Sequence, residues 1–137
     1  MSARPTARPA ARSPVTTWEL PRDPIAARLA RRELAAEHPD LVQDVLEVAQ
    51  VLTSELVTNA LKHGEGLITL SVVRDERSLT VRVGDRGSQV PAVREHDLTT
   101  MNGRGLQLVD ALAVGWGTEH VAGPTGGKVV WFTLRTS

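Results

Sequence analysis

The chain has 137 residues, 41% of them hydrophobic, which is enough for one domain with a real core. Its formal net charge is +0, so no global field draws it to nucleic acid or to an anionic membrane. It has no cysteine, and its four histidines (His38, His63, His96 and His120) lack ligand spacing, which excludes a disulfide framework and argues against a metal centre. No apolar run approaches the roughly 18 residues of a membrane span. No apolar stretch follows the first residues as it would in a secretory signal. A soluble, cytoplasmic protein with no direct nucleic-acid or membrane partner is expected.

Residues 1–13 are mostly Ala, Arg, Pro, Ser and Thr without apolar periodicity, and read as a disordered tail. Residues 14–137 read as a single domain. Val15 to Leu20 can form a short edge strand. Asp23-Pro24 then reads as an N-cap followed by proline at the first helical position. Ile25, Leu29, Ala30 and Leu34 predict a helix to about Glu37, which Pro39 breaks. Asp40 with Gln43 three residues later resembles a capping box. Leu41, Val45, Val48, Leu52 and Leu56 predict a second, longer helix through His63, with Gly64 as its C′ residue.

From Gly66 the period changes to two. Ile68, Leu70 and Val72, then Leu79, Val81 and Val83, predict a hairpin around the polar turn Arg74 to Arg77. Residues 86–103 show neither period; a loop of that length in a small domain suggests a lid. Arg104 to Leu112 reads as a short helix. Ala113 to His120 and Lys128 to Leu134 read as two more strands, joined by a turn over 122–127. Helices that do not alternate one-for-one with strands argue for an α+β class: a two-layer sandwich of a mostly antiparallel sheet with helices on one face.

Three patterns carry chemistry. Glu55 and Asn59, four residues apart, share one face of the long helix, and Lys62 and His63 follow close to the same stripe. Such groups are costly to bury without partners, so that face borders a site. Asp85 ends a strand in Val83-Gly84-Asp85-Arg86-Gly87. The pattern suits a simple turn. It also suits a carboxylate accepting from the exocyclic amine of adenine, with Gly87 admitting a flat base. Asn102-Gly103-Arg104-Gly105-Leu106 opens a helix, where glycines and the helix N-terminus favour an anion.

Other nucleotide and hydrolase motifs fail. Leu108 stands where a dinucleotide fingerprint needs its third glycine. Gly127-Lys128 lacks both ends of a P-loop, because Ala122 and Val129 fill those places. Ser88 lies outside any Gly-x-Ser-x-Gly elbow.

Together the three patterns resemble the ATPase superfamily of gyrase, the Hsp90 chaperone, histidine kinases and the MutL repair protein, whose fold is the Bergerat-type ATP-binding fold. Glu55-Leu-Val-Thr-Asn59-Ala-Leu-Lys62-His63 matches its N-box. Asp85-Arg86-Gly87 matches the first glycine box and Gly103-Arg104-Gly105-Leu106 the second. Within the superfamily the chain looks most like the anti-sigma-factor serine/threonine kinases of bacterial partner switching. Gly105-Leu-Gln-Leu-Val-Asp-Ala-Leu112 and Gly127-Lys-Val-Val-Trp-Phe132 fit that subgroup. The resemblance runs from about residue 17 to 135.

The resemblance implies a set of roles. Asn59 would coordinate Mg²⁺ on the phosphates of ATP. Glu55 would act as the general base. Asp85 would bind the adenine amine and Gly87 make room for the ring. Gly103, Arg104, Gly105 and Leu106 would line the phosphates beneath a lid over 88–102. Lys62 and His63 would lie near the phosphate end. The implied partners are a sigma factor, an anti-anti-sigma protein with a STAS domain, and a second copy of the chain in a homodimer. Two departures stand out: Gln89 replaces a glycine of the first box, and Lys128 then Val129 occupy the place where many relatives carry threonine after the last hairpin's glycine. A non-catalytic nucleotide-binding partner switch is therefore the alternative to a kinase. A histidine kinase catalytic domain would need a preceding phosphoacceptor histidine, and His38 precedes Pro39 at a helix break. A purely structural domain leaves the polar stripe of the long helix unexplained.

Overall fold

The computed structural model describes residues 15–87, 111–121 and 126–136. Among the described residues, five strands and two whole helices follow one another: β1 (Val15–Leu20), α1 (Ala26–Glu37), α2 (Gln43–His63), β2 (Ile68–Arg74), β3 (Ser78–Asp85), β4 (Ala113–His120) and β5 (Lys128–Arg135). The strands form one sheet in the order β1-β2-β3-β5-β4, and every neighbouring pair is antiparallel. This is the expected α+β class. Ala111 and Leu112 close a helix immediately before β4. The rest of the helix read over 104–112 lies outside the described residues, as do the tail over 1–13 and the lid over 88–102.

The alternation in the strands sets which face is buried. Ile68, Leu70 and Val72 of β2, Leu79, Val81 and Val83 of β3, and Val130, Phe132 and Leu134 of β5 point inward and are almost fully buried. They meet Val45, Val48, Ala49, Leu56, Val57 and Ala60 of α2, with Ala26, Ala30 and Leu34 of α1 completing the core. The opposite sheet face is polar. Thr17 pairs with Ser71 at 3.1 Å, Thr80 with Thr133 at 2.7 Å, and Arg82 with Glu119 at 2.8 Å, each across neighbouring strands or one strand further. Trp131 also faces outward there and lies over Gly115 and Gly117; a Cβ on Gly117 would press on its indole at 3.2 Å.

Three local expectations change. Helix α1 begins at Ala26, two residues later than its sequence signals suggest. Asp23 still serves its start, because Oδ1 accepts the Ile25 N–H at 3.0 Å and its carbonyl accepts from Ala26 at 2.9 Å. The capping box at Asp40 does not form. Helix α2 starts at Gln43 after Val42 with no side-chain cap. Both Asp40 oxygens instead bind Arg74 at 2.9 Å, a bidentate pair that ties the α1–α2 connection to the end of β2. Gly64 does not take a left-handed C′ conformation; it is extended, with φ −97° and ψ −177°. Its lack of a side chain matters for a different reason, which belongs to the site.

The C-terminal end of α2 is held firmly. Arg22 donates to the Ala60 carbonyl at 2.7 Å, which already accepts the Gly64 N–H at 3.0 Å, and to the Leu61 carbonyl at 3.3 Å. Earlier along the helices, Arg31 donates to Ser54 Oγ at 2.8 Å and Gln50 donates to the Arg31 carbonyl at 3.0 Å. These bonds fix the rotation of α2 against α1, and so fix which of its residues face the sheet.

Candidate functional site

The sheet and α2 meet where β3 ends. Asp85 is the last residue of β3 and lies directly across from Lys128, the first residue of β5. Cross-strand partners project their side chains to the same face, and here that face is the inward one. Lys128 Nζ donates to Asp85 Oδ1 at 2.9 Å, with both side chains only 2% exposed. The same oxygen accepts the Gly87 N–H at 2.6 Å, so the strand turns back onto its own carboxylate. Lys128 also reaches the Gly87 carbonyl at 3.5 Å.

The end of α2 is packed onto this turn without room for side chains. A Cβ on Gly64 would collide with the Asp85 carboxyl group and would stand 2.6 Å from the Ala60 carbonyl oxygen. A Cβ on Gly87 would stand 3.0 Å from the Gly64 Cα and from Asp85 Oδ1. The backbone bond from Arg86 N–H to the Glu65 carbonyl, at 2.8 Å, closes the contact. Gly66, with φ +68°, supplies the left-handed residue that leads from this contact into β2. Gly127, with φ +107°, does the same before β5, and a Cβ there would strike the Asp85 carbonyl oxygen at 2.5 Å.

The N-box residues sit on the last turns of the same helix. Asn59 is half-buried, and its Nδ2 is buried with no hydrogen-bond partner. A buried amide donor without a partner is expensive, and an anionic oxygen would satisfy it. Glu55, one turn earlier, is also half-buried. Lys62 and His63 are exposed on the final turn. Basic side chains in that last turn suit the helix dipole. Gly103, Arg104, Gly105, Leu106 and Gln89 lie outside the described residues.

The sequence marks Asp85 and Gly87 as candidates and Lys128 only as a departure from a pattern. Nothing local marks Lys128 as buried. It stands 43 residues from Asp85, and only the β3–β5 register joins them. The sequence points to Gly64 as a helix C′ residue and not to its close approach to Asp85, and a helix-capping arginine from a distant loop, such as Arg22, has no sequence signature.

A family model described as the histidine kinase-like ATPase domain matches residues 17–134, which spans both helices, all but the tips of the sheet, and every residue of the site just described. The chain belongs to that family. The antiparallel sheet with helices on one face is the arrangement the family uses, and it lies within the gyrase, Hsp90, histidine kinase and MutL superfamily. A search of curated proteins finds no match for the chain.

As a histidine kinase-like ATPase domain, the chain implies ATP binding. The donor set fits that ligand. Asn59 carries a spare buried amide donor, and Asp85 supplies a buried acceptor against which Gly64 and Gly87 bring the backbone close. Among the described residues no cluster of His, Cys, Asp or Glu could hold a metal ion by itself. No helix among the described residues is long and apolar enough to cross a membrane.

Proposed function

We propose that this domain is an ATP-dependent protein serine/threonine kinase that acts as an anti-sigma factor in partner switching. One observation supports it above the rest. The buried Asp85 carboxylate, backed by the glycines 64 and 87, lies at the end of the helix that carries Asn59 with its unpartnered amide. In this reading a group for the adenine and a group for the phosphate side share one edge of a histidine kinase-like ATPase domain.

In this reading Asp85 accepts from the adenine amine and Gly87 admits the ring. Asn59 would hold Mg²⁺ through its amide oxygen, and the ion would neutralise charge on the phosphates. Gly103, Arg104, Gly105 and Leu106 line the phosphate end. Glu55 accepts the proton of a seryl or threonyl hydroxyl while that oxygen bonds to the γ-phosphorus and the bond to the ADP oxygen breaks. Most of the rate comes from holding these groups in line and compensating charge. The acceptor is a small anti-anti-sigma protein with a STAS domain, and the sequestered partner is a sigma factor. The subtype rests on the motif phrases at 105–112 and 127–132, and the cytoplasmic location follows from those partners.

The test is incubation of the chain with γ-labelled ATP, Mg²⁺ and STAS-domain proteins from the same organism. Acid-stable phosphoserine or phosphothreonine on one of them, lost with Glu55→Ala, supports a kinase. Sigma-factor binding that survives Glu55→Ala with no phosphoprotein formed would replace it with the non-catalytic partner switch. That second reading draws on Lys128, which stands where many relatives carry threonine.

A further inference from the structure

The ammonium of Lys128 is the least expected group in the site. A lysine side chain 2% exposed is rare, and burial is tolerated here because Asp85 Oδ1 lies 2.9 Å away. That single short bond uses one of three donors. A second N–H reaches the Gly87 carbonyl only at 3.5 Å, the outer limit of a useful bond. The third has no acceptor among the described residues. A buried cation with spare donors is under-satisfied in the protein alone and is matched by an acceptor on a ligand.

The pair also stays together when a ligand arrives. Pulling the ammonium out into water would leave the Asp85 carboxylate as an uncompensated buried charge, the most unfavourable outcome available to such a pair. A base approaching Asp85 therefore meets an acceptor and a donor side by side, not a lone carboxylate. The edge of adenine offers the complement, an amine donor beside the ring acceptor N1.

We propose that Lys128 is a base-reading residue of this site, donating to the adenine N1 while Asp85 accepts from the neighbouring exocyclic amine. This rests on the ATP-binding reading above and adds to it a specificity-determining residue. Threonine at that position would offer a neutral hydroxyl; lysine offers a charged donor held by the very carboxylate that reads the amine. The substitution then changes how the base is read without abolishing the reading.

The experiment titrates the whole chain with ATP, 1-deaza-ATP and 7-deaza-ATP in the presence of Mg²⁺, using wild type and Lys128→Met. The 1-deaza analogue lacks the N1 acceptor and leaves the amine in place. Wild type should bind it about tenfold or more weakly than ATP, because the buried donor is left unpaired. It should bind 7-deaza-ATP as well as ATP, since N7 lies on another edge. Lys128→Met should bind ATP and 1-deaza-ATP equally, both more weakly than wild type binds ATP. Equal wild-type affinity for ATP and 1-deaza-ATP overturns the proposal while leaving ATP binding intact, and this arm needs no variant to fold. Tighter ATP binding by Lys128→Met also overturns it, since lysine would then be a plug that the base displaces. A wild-type chain that binds none of the three overturns the ATP reading itself, and this proposal with it.

Discussion

Replacing Lys128 by methionine isolates the energetics of the site without touching its backbone. The ammonium disappears, and the Asp85 carboxylate, 2% exposed, keeps only the Gly87 N–H as a partner. Breaking a buried ion pair from one side costs about 3–5 kcal/mol, a large share of the roughly 5–15 kcal/mol that holds a domain together. Removing both charges, as Asp85→Ala with Lys128→Met, leaves a different deficit. The Gly87 N–H loses its acceptor and a small cavity opens, a cost of about 1–3 kcal/mol. The double variant should therefore be more stable than the single one. Urea unfolding followed by the fluorescence of the three tryptophans reads this directly. With a slope of about 2 kcal/mol per molar urea, the single variant's midpoint should fall by roughly 2 M and the double variant's by roughly 1 M. A Lys128→Met chain within about 1 kcal/mol of wild type, or a double variant less stable than the single, would show that the pair is open to water and not part of the core.

Three further outcomes are expected. Gly64→Ala should lower stability by about 1–3 kcal/mol through overpacking, because the new methyl group meets the Asp85 carboxyl and the Ala60 carbonyl; it should also weaken ATP binding in a titration, and unchanged affinity would detach Gly64 from the site. Asn59→Ala should abolish Mg²⁺-dependent ATP binding yet leave the melting temperature within a degree or two (about 0.5 kcal/mol), since its buried Nδ2 has no partner to lose; a collapse in stability would make Asn59 a structural residue. His38 should make folding acid-sensitive. Burial first and the Arg74 guanidinium second depress its pKa below 6.5, outweighing the opposite pull of Asp40 and Glu37. The unfolded chain then takes up a proton that the folded chain refuses. Stability is full above 6.5 and is lost as pH falls from 6.5 through the folded value. His38→Gln should flatten that decline in urea midpoints measured between pH 7.5 and 5.5.

The sequence made much of this fold legible because local patterns and tertiary burial agree. Alternation in Ile68–Val72 and Leu79–Val83 and the helical spacing of Val45, Val48 and Leu56 coincide with the side chains that the core buries. Asp85 and Gly87 are legible as a strand-ending turn whose carboxylate is a candidate acceptor at a sheet edge. What the sequence hid is set by long-range register and by competition for partners. Asp40 was read as a helix cap, but a guanidinium from β2 offers its carboxylate two charge-assisted bonds in place of one backbone N–H. Gly64 was read through backbone dihedrals, whereas the structure needs it for close approach to Asp85. Lys128 looked like a solvated lysine at a strand start, and only the cross-strand pairing with Asp85 takes it into the interior.

The central claim is that the end of β3 and α2 reads a nucleotide through Asp85. Calorimetric titration of wild type and Asp85→Asn with ATP and Mg²⁺ tests it most directly, with thermal unfolding of both chains as the check on folding. The account predicts saturable, Mg²⁺-dependent binding by wild type, and affinity at least about tenfold lower for a cooperatively folded Asp85→Asn chain, in which the amide no longer offers the adenine amine a charged acceptor. Equal affinity in the two chains, or no ATP binding by wild type, would contradict it.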